Sequence, residues 1–212
     1  MQIAIPVFAK ITALDAVGPY EVLQRLPEAE IVFVGHAEGN VRTDNGFLGL
    51  AADAVFEDVP SPDVVVFPGG VGTRPMMKDE RVLDWVRTAH LTTRFTTSVC
   101  TGALILGAAG LLHGLDATTH WGAYDILEET GANPVATRVV EHLEQRIITA
   151  AGVSSGIDMA LRLAELLVDA DAARAMQLLI EYDPQPPFDA GSVAKAGSEV
   201  MVRAAEYSKT RS

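Results

Sequence analysis

The segment Asp63–Phe67, which ends in Val64-Val65-Val66-Phe67, limits the possible folds of this chain more than any other stretch. A continuous run of β-branched and aromatic residues has no polar face to show to water. Such a strand must be covered on both sides, as strands of parallel sheets are. The run stops at Pro68-Gly69-Gly70, where proline cannot extend the ladder and the glycines permit a sharp turn. Parallel neighbours need crossover connections, usually helices. The sequence supplies them. It reads as strand at Gln2–Phe8, helix at Asp15–Leu26, strand at Glu30–Val34 and a hairpin around Thr43-Asp44-Asn45-Gly46. After the valine run come helix Asp79–Leu91, strand Arg94–Ser98, helix Thr101–Leu112, a short strand Asp116–Thr119 and helix Gly122–Thr130. A strand pair, Arg138–His142 and Arg146–Ala150, precedes helices Ser154–Val168 and Asp171–Glu181. This alternation predicts an α/β fold, a doubly wound parallel sheet, in a single domain spanning 1–212. Pro184-Gln185-Pro186-Pro187 begins an extended tail with a final helical stretch near Ser198–Tyr207.

With 16 basic and 28 acidic residues the formal charge is −12. That argues against nucleic acid or an anionic membrane as partner. The start, Met1-Gln2-Ile3-Ala4-Ile5, lacks the basic residues of a signal peptide, and no apolar run is long enough to span a bilayer. A cytoplasmic protein is the expectation. A lone cysteine excludes an internal disulfide and a cysteine-based zinc cluster, and no carboxylate–histidine set has metal-ligand spacing. No metal is expected.

That cysteine, Cys100, ends the strand of Thr96-Thr97-Ser98-Val99 and begins a small-residue helix at Thr101-Gly102-Ala103. A tight strand-to-helix turn pushes one side chain out over the sheet edge. The helix start would favour the thiolate, the reactive form. A buried structural cysteine is the alternative, but the elbow favours reactivity. Ligands of open parallel sheets bind beyond the carboxyl ends of the strands, and two further strand ends matter. The first leads to Asp15, either a helix cap or a carboxyl that exchanges protons with the cysteine. Glu21, on the same helix, is a weaker candidate for that role. The valine strand leads to Gly69, Gly70 and Val71. There the N–H groups of Gly70 and Val71, with that of Thr101, could form an oxyanion-type pocket. His120 stands beside a strand end, where it either activates the thiol or is structural. Ser154-Ser155 reads as a helix cap.

These residues resemble the DJ-1/ThiJ/PfpI superfamily, and within it the isocyanide hydratases. The resemblance rests on Leu14-Asp15-Ala16-Val17-Gly18-Pro19-Tyr20-Glu21, Phe67-Pro68-Gly69-Gly70, Thr97-Ser98-Val99-Cys100-Thr101-Gly102 and Ala117-Thr118-Thr119-His120-Trp121. Glu181-Tyr182-Asp183-Pro184 and Pro186-Pro187-Phe188 extend it to nearly the whole chain. It implies a flavodoxin-like sandwich of the class I glutamine amidotransferase-like kind, usually a homodimer. It implies Cys100 as nucleophile, Asp15 as its acidic partner, Thr101 as a positioning residue and Gly70 and Val71 as backbone donors. The segment Ala150-Ala151-Gly152-Val153-Ser154-Ser155 departs from the more glycine-rich run of the hydratases and puts Val153 beside the pocket. Thr101 departs from the PfpI peptidases, where histidine follows the cysteine.

The chemistry implied is cofactor-free hydration of a small-molecule isocyanide to an N-substituted formamide through a Cys100 thioimidate. One alternative is a glyoxalase or glycation-repair hydrolase using the same cysteine. Asp15 in place of glutamate, and Thr101, weigh against it. Another is a ligand-sensing domain like those of AraC-type regulators, but the stretch after Pro187 is too short for a helix-turn-helix domain and the charge is wrong for DNA. A third is a redox-sensing or chaperone-like protein in which Cys100 oxidises without turnover.

Overall fold

A computed structural model describes residues 1–209. In chain order the elements are β1 (Gln2–Pro6), α1 (Ala13–Leu23), β2 (Glu30–Gly35), β3 (Gly39–Arg42), β4 (Gly49–Ala52), β5 (Ala54–Val55) and β6 (Val64–Phe67). Then follow α2 (Thr73–Met76), α3 (Glu80–Thr92), β7 (Phe95–Val99), α4 (Gly102–Ala108), β8 (Asp116–Ala117) and α5 (Tyr124–Glu128). The chain continues through β9 (Asn133–Pro134), β10 (Val139–His142), β11 (Ile147–Ala150), α6 (Ser155–Leu167), α7 (Ala170–Leu179) and α8 (Val193–Lys209).

Seven strands form the central sheet in the order β10-β11-β7-β6-β1-β2-β5. Every neighbour pair is parallel except β10 with β11. All four residues of β6 are fully buried, as a central strand covered on both faces requires. From β1 the chain crosses through α1 to β2 on one side, whereas from β6 it crosses through α3 to β7 on the other. Right-handed crossovers in opposite directions put α1 and α3 on opposite faces. The packing agrees: α1 lies against α6 and α7, and α3 against α4. The strand order therefore reverses between β1 and β6. That switch point opens a crevice beyond the two carboxyl ends. Asp15 follows β1, Gly69 follows β6, and Cys100 follows the next strand, β7.

The sequence reading and the structure differ most in three places. The helix after Cys100 ends at Ala108 rather than Leu112, with Gly110 in a left-handed conformation at φ 87° just beyond. A left-handed glycine is a common helix stop. The strand expected at Asp116–Thr119 shrinks to β8 and pairs with β9 in a separate ladder outside the main sheet. The final helix runs over Val193–Lys209 rather than starting near Ser198, with a non-helical break at Gly197.

Phe67, fully buried, ends β6 directly beneath the Pro68-Gly69-Gly70 turn, with its ring 6.1 Å from that of Phe8. Phe67→Ala is expected to cost about 3–5 kcal/mol in urea unfolding. A loss under about 1 kcal/mol would mean that the core does not converge there.

Candidate active site

Cys100 is 5% exposed and sits at φ 56°, a left-handed conformation that costs a non-glycine residue on the order of 1–3 kcal/mol. Its backbone is held from both sides. The N–H is shared between the carbonyls of Ala150 and Ala151, each at 3.0 Å, and the carbonyl accepts from Thr119 Oγ1 at 2.8 Å. Gly102 makes the sharp entry into α4 possible, since a Cβ there would lie 2.0 Å from the Phe67 carbonyl oxygen. The backbone N–H groups of Thr101 and Val153 and the carboxyl of Asp15 lie close enough to the sulfur to influence its acidity. Val153 is itself left-handed at φ 40°.

Asp15 lies in the first turn of α1 and is completely buried. Its carboxylate does not cap that helix. Oδ2 instead accepts from the Gly69 N–H at 3.0 Å across the crevice, and Oδ1 has no N–H or O–H partner among the described residues. Burial pushes its pKa up from 3.8 to about 7, against the opposing effects of the Gly69 N–H and the Cys100 thiol, with Asp44 adding to the rise. Burial, reinforced by the Asp15 charge, also pushes the Cys100 thiol up to about 12, although the two backbone N–H groups oppose it. Burial and the neighbouring carboxyl thus oppose the acidification that the helix start would give. The helix is short, the sulfur is desolvated, and a carboxylate lies beside it.

Thr101 Oγ1 donates to the Gly70 carbonyl at 3.1 Å and accepts from the Gly70 N–H at 2.9 Å. Thr73 Oγ1 stands 3.2 Å from it. The glycines are required by close approach. A Cβ on Gly69 would lie 2.5 Å from the Thr101 nitrogen and 2.9 Å from Asp15 Oδ2, and Gly70 has φ 133°. The N–H of Gly69 is bonded to Asp15 and that of Gly70 to Thr101. The donors aimed at the sulfur are thus those of Thr101 and Val153, while Val71 stands half exposed at the rim.

The His120 ring packs over Gly152, where an added Cβ would come within 2.7 Å of it. Its Nδ1 accepts from the Gly122 N–H at 3.2 Å, so in the neutral ring the proton sits on Nε2. Burial, helped by the Arg74 charge, lowers its pKa and favours that neutral form. Glu21 lies outside the cluster, paired with Arg25 at 2.7 Å. Ser154 occupies the cap position of α6, but makes no side-chain cap bond. Its hydroxyl is 3.3 Å from Arg138 Nη2.

Sequence reasoning did not single out Thr73, Arg74 or Asp44. Arg74 Nη1 donates to the Gly70 carbonyl at 3.3 Å and to Thr73 Oγ1 at 3.1 Å, and burial lowers the pKa of its guanidinium, with Cys100 close enough to oppose that effect. Nothing in the pattern Val71-Gly72-Thr73-Arg74 distinguishes it from a loop arginine.

The raised pKa of Asp15 has a sign for stability. Its contribution favours the folded state fully below 3.8 and is lost as pH rises through about 7. The whole difference corresponds to about 4 kcal/mol. Asp15→Asn, which can still accept from Gly69, should therefore have a higher Tm than the parent at pH 8. The gap should close towards pH 4. Equal Tm differences at both pH values would show that Asp15 carries no such penalty.

The comparisons with known proteins fit this geometry. Residues 1–166 match the DJ-1/PfpI family. The chain is 45% identical to an isonitrile hydratase of Pseudomonas putida, over 95% of this chain and 87% of that protein. A crystal structure of a THiJ/PfpI family protein from Pseudomonas syringae superimposes with a TM-score of 0.92 at 38% identity, covering 99% of this chain and 86% of that one. A transcriptional regulator of Pseudomonas aeruginosa, GbdR, is 26% identical over 74% of this chain but only 43% of its own length. On the match to two-thirds and more of its length, the chain belongs to the DJ-1/PfpI family.

Proposed function

We propose that the protein is an isocyanide hydratase that forms a covalent thioimidate on Cys100. The observation that carries this reading is the buried pair of Cys100 and Asp15, in which the carboxyl is held near pKa 7 beside the nucleophile. The 45% identity with an isonitrile hydratase over nearly the full length supports the substrate class.

Hydration of R–N≡C needs a nucleophile on the terminal carbon and one proton delivered to that same carbon. A thiol beside a carboxylate holds both. Asp15 takes the proton as sulfur attacks and passes it to carbon, giving R–N=CH–S–Cys100. Asp15 next takes a proton from water as the water oxygen bonds to that carbon, and delivers it to nitrogen. Collapse breaks the C–S bond, releases R–NH–CHO and returns the hydroxyl proton through Asp15 to sulfur. Splitting one hydration into two easier steps is the advantage of covalent catalysis. A carboxyl that must both accept and donate works best with a pKa near the working pH. No cofactor enters these steps. The N–H groups of Thr101 and Val153 favour the sulfur when it leaves as thiolate. Thr101 holds the glycine turn, and His120, neutral and protonated on Nε2, is a poor base for the thiol.

We take the enzyme to act on a small molecule, as a cytoplasmic homodimer. Exposed apolar residues at Leu178, Leu179 and Phe188 support an assembly, and no helix among the described residues is long and apolar enough to cross a membrane.

The deciding assay is formamide release from a panel of alkyl and aryl isocyanides, with methylglyoxal in parallel. Turnover of methylglyoxal but of no isocyanide would replace this reading with a glyoxalase one. Cys100→Ala should release no formamide while remaining folded. Asp15→Asn should lose at least about 100-fold in kcat/KM, and Asp15→Glu should retain part. His120→Gln should cost much less. If it matches Cys100→Ala in a folded protein, the proton carrier is His120. In the parent, kcat/KM should rise with pH through about 7, because Asp15 must be ionised to receive the thiol proton. A profile flat from pH 5 to 9 would contradict that role.

A further inference from the structure

Among the described residues, six of the chain's twelve arginines have carboxylate partners: Arg25, Arg81, Arg87, Arg138, Arg162 and Arg174 each form an ion pair. Arg74 does not, although it is half buried and stands beside the nucleophile. Removing a guanidinium from water without an anionic partner is unfavourable. The position is nevertheless built. Nη1 is anchored to the Gly70 carbonyl at 3.3 Å and to Thr73 Oγ1 at 3.1 Å, and Thr73 Oγ1 is 3.2 Å from Thr101 Oγ1. The guanidinium is thereby tied to the same turn that carries Gly69, Gly70 and, through Thr101, the cysteine.

Both anchoring bonds use Nη1. The Nε and Nη2 donors have no partner among the described residues. Those two nitrogens form one edge of the planar fork, the edge that a carboxylate fits with two parallel hydrogen bonds. The other ionisable groups near it do not fill that need. Cys100 and His120 lie close enough to interact electrostatically with Arg74, and neither is a carboxylate. Asp15 is engaged with Gly69 and the thiol.

We propose that Arg74 is a recognition residue for a carboxylate on the substrate, so that the pocket takes small electrophiles whose non-reacting end is anionic. Combined with the hydratase reading, on which the reacting group rests, the substrate class becomes an isocyano acid rather than a neutral isocyanide. The carboxylate would lie on the Nε–Nη2 edge, and the reactive carbon would reach Cys100. The anion preference itself does not depend on what reaction follows.

That independence supplies the test. Because Cys100 is the single cysteine, alkylation reads the site directly. Second-order rates for iodoacetate and iodoacetamide are measured at pH 8, on the parent, Arg74→Gln and Arg74→Lys, with glutathione as the free-thiol reference. The ratio of iodoacetate to iodoacetamide should exceed that of glutathione by about tenfold in the parent, the size of one charge-assisted contact. It should fall to the glutathione value in Arg74→Gln and recover in part in Arg74→Lys. A ratio unchanged by Arg74→Gln overturns the proposal, including the case in which both reagents slow equally because Arg74 acts on the sulfur. In a second arm, isocyanoacetate and its methyl ester are compared as substrates. Arg74→Gln should raise the KM of the acid relative to that of the ester about tenfold. If neither is hydrated while the alkylation ratio still depends on Arg74, the anion site stands and the hydratase reading falls. If both are hydrated with a KM ratio indifferent to Arg74, the reading stands and the recognition role falls.

Discussion

The hydrogen bond from the Gly69 N–H to Asp15 Oδ2 ties together the two strand ends at the switch point of the sheet. One partner comes from the turn after β6 and the other from the first turn of α1. It holds a carboxyl in a place with almost no water, and that burial is what lifts its pKa to about 7. The same bond requires glycine at position 69, because any side chain there would meet both the Asp15 carboxylate and Thr101. The sheet thus brings Asp15 and Cys100 together, and the glycine turn makes room for their close approach.

The site contains two forms of stored cost. Cys100 and Val153 both sit in left-handed backbone conformations that side chains disfavour, and Asp15 is a carboxyl kept from solvent. Each persists because the surroundings over-determine it. The Cys100 backbone is bonded at both its N–H and its carbonyl, and the loop carrying Val153 is held from outside by Arg138, which reaches Asp158 and Ser154. Strain and burial of this kind gather where a protein needs pre-set geometry rather than maximal stability.

Much of this was legible in the sequence. Val64–Phe67 can only be a covered strand, and the turn after it needed glycine. The elbow at Cys100 was readable from a β-type run meeting a small-residue helix. What was not legible depends on distances across the fold. Asp15 reads equally well as a cap until the Gly69 N–H is found to be its partner. The Gly70 N–H reads as an oxyanion donor until Thr101 Oγ1 is found on it. Local sequence likewise carries the helix start beside Cys100 but not the desolvation or the carboxyl that oppose its effect. Arg74 was invisible because its link to the site runs through Thr73 and the Gly70 carbonyl, contacts that only the fold makes.

The contact between His120 and Gly152 links two loops that are distant in sequence. The ring rests where a side chain at position 152 would otherwise project, at 2.7 Å from an added Cβ. Residue 152 therefore acts as a spacer beside the His120 ring. Enlarging it would tilt the imidazole and move the neighbouring Val153 N–H relative to the sulfur. The space beside Cys100 and the position of the Val153 N–H are thus geared to one residue, so relatives that differ there can diverge in both at a single step.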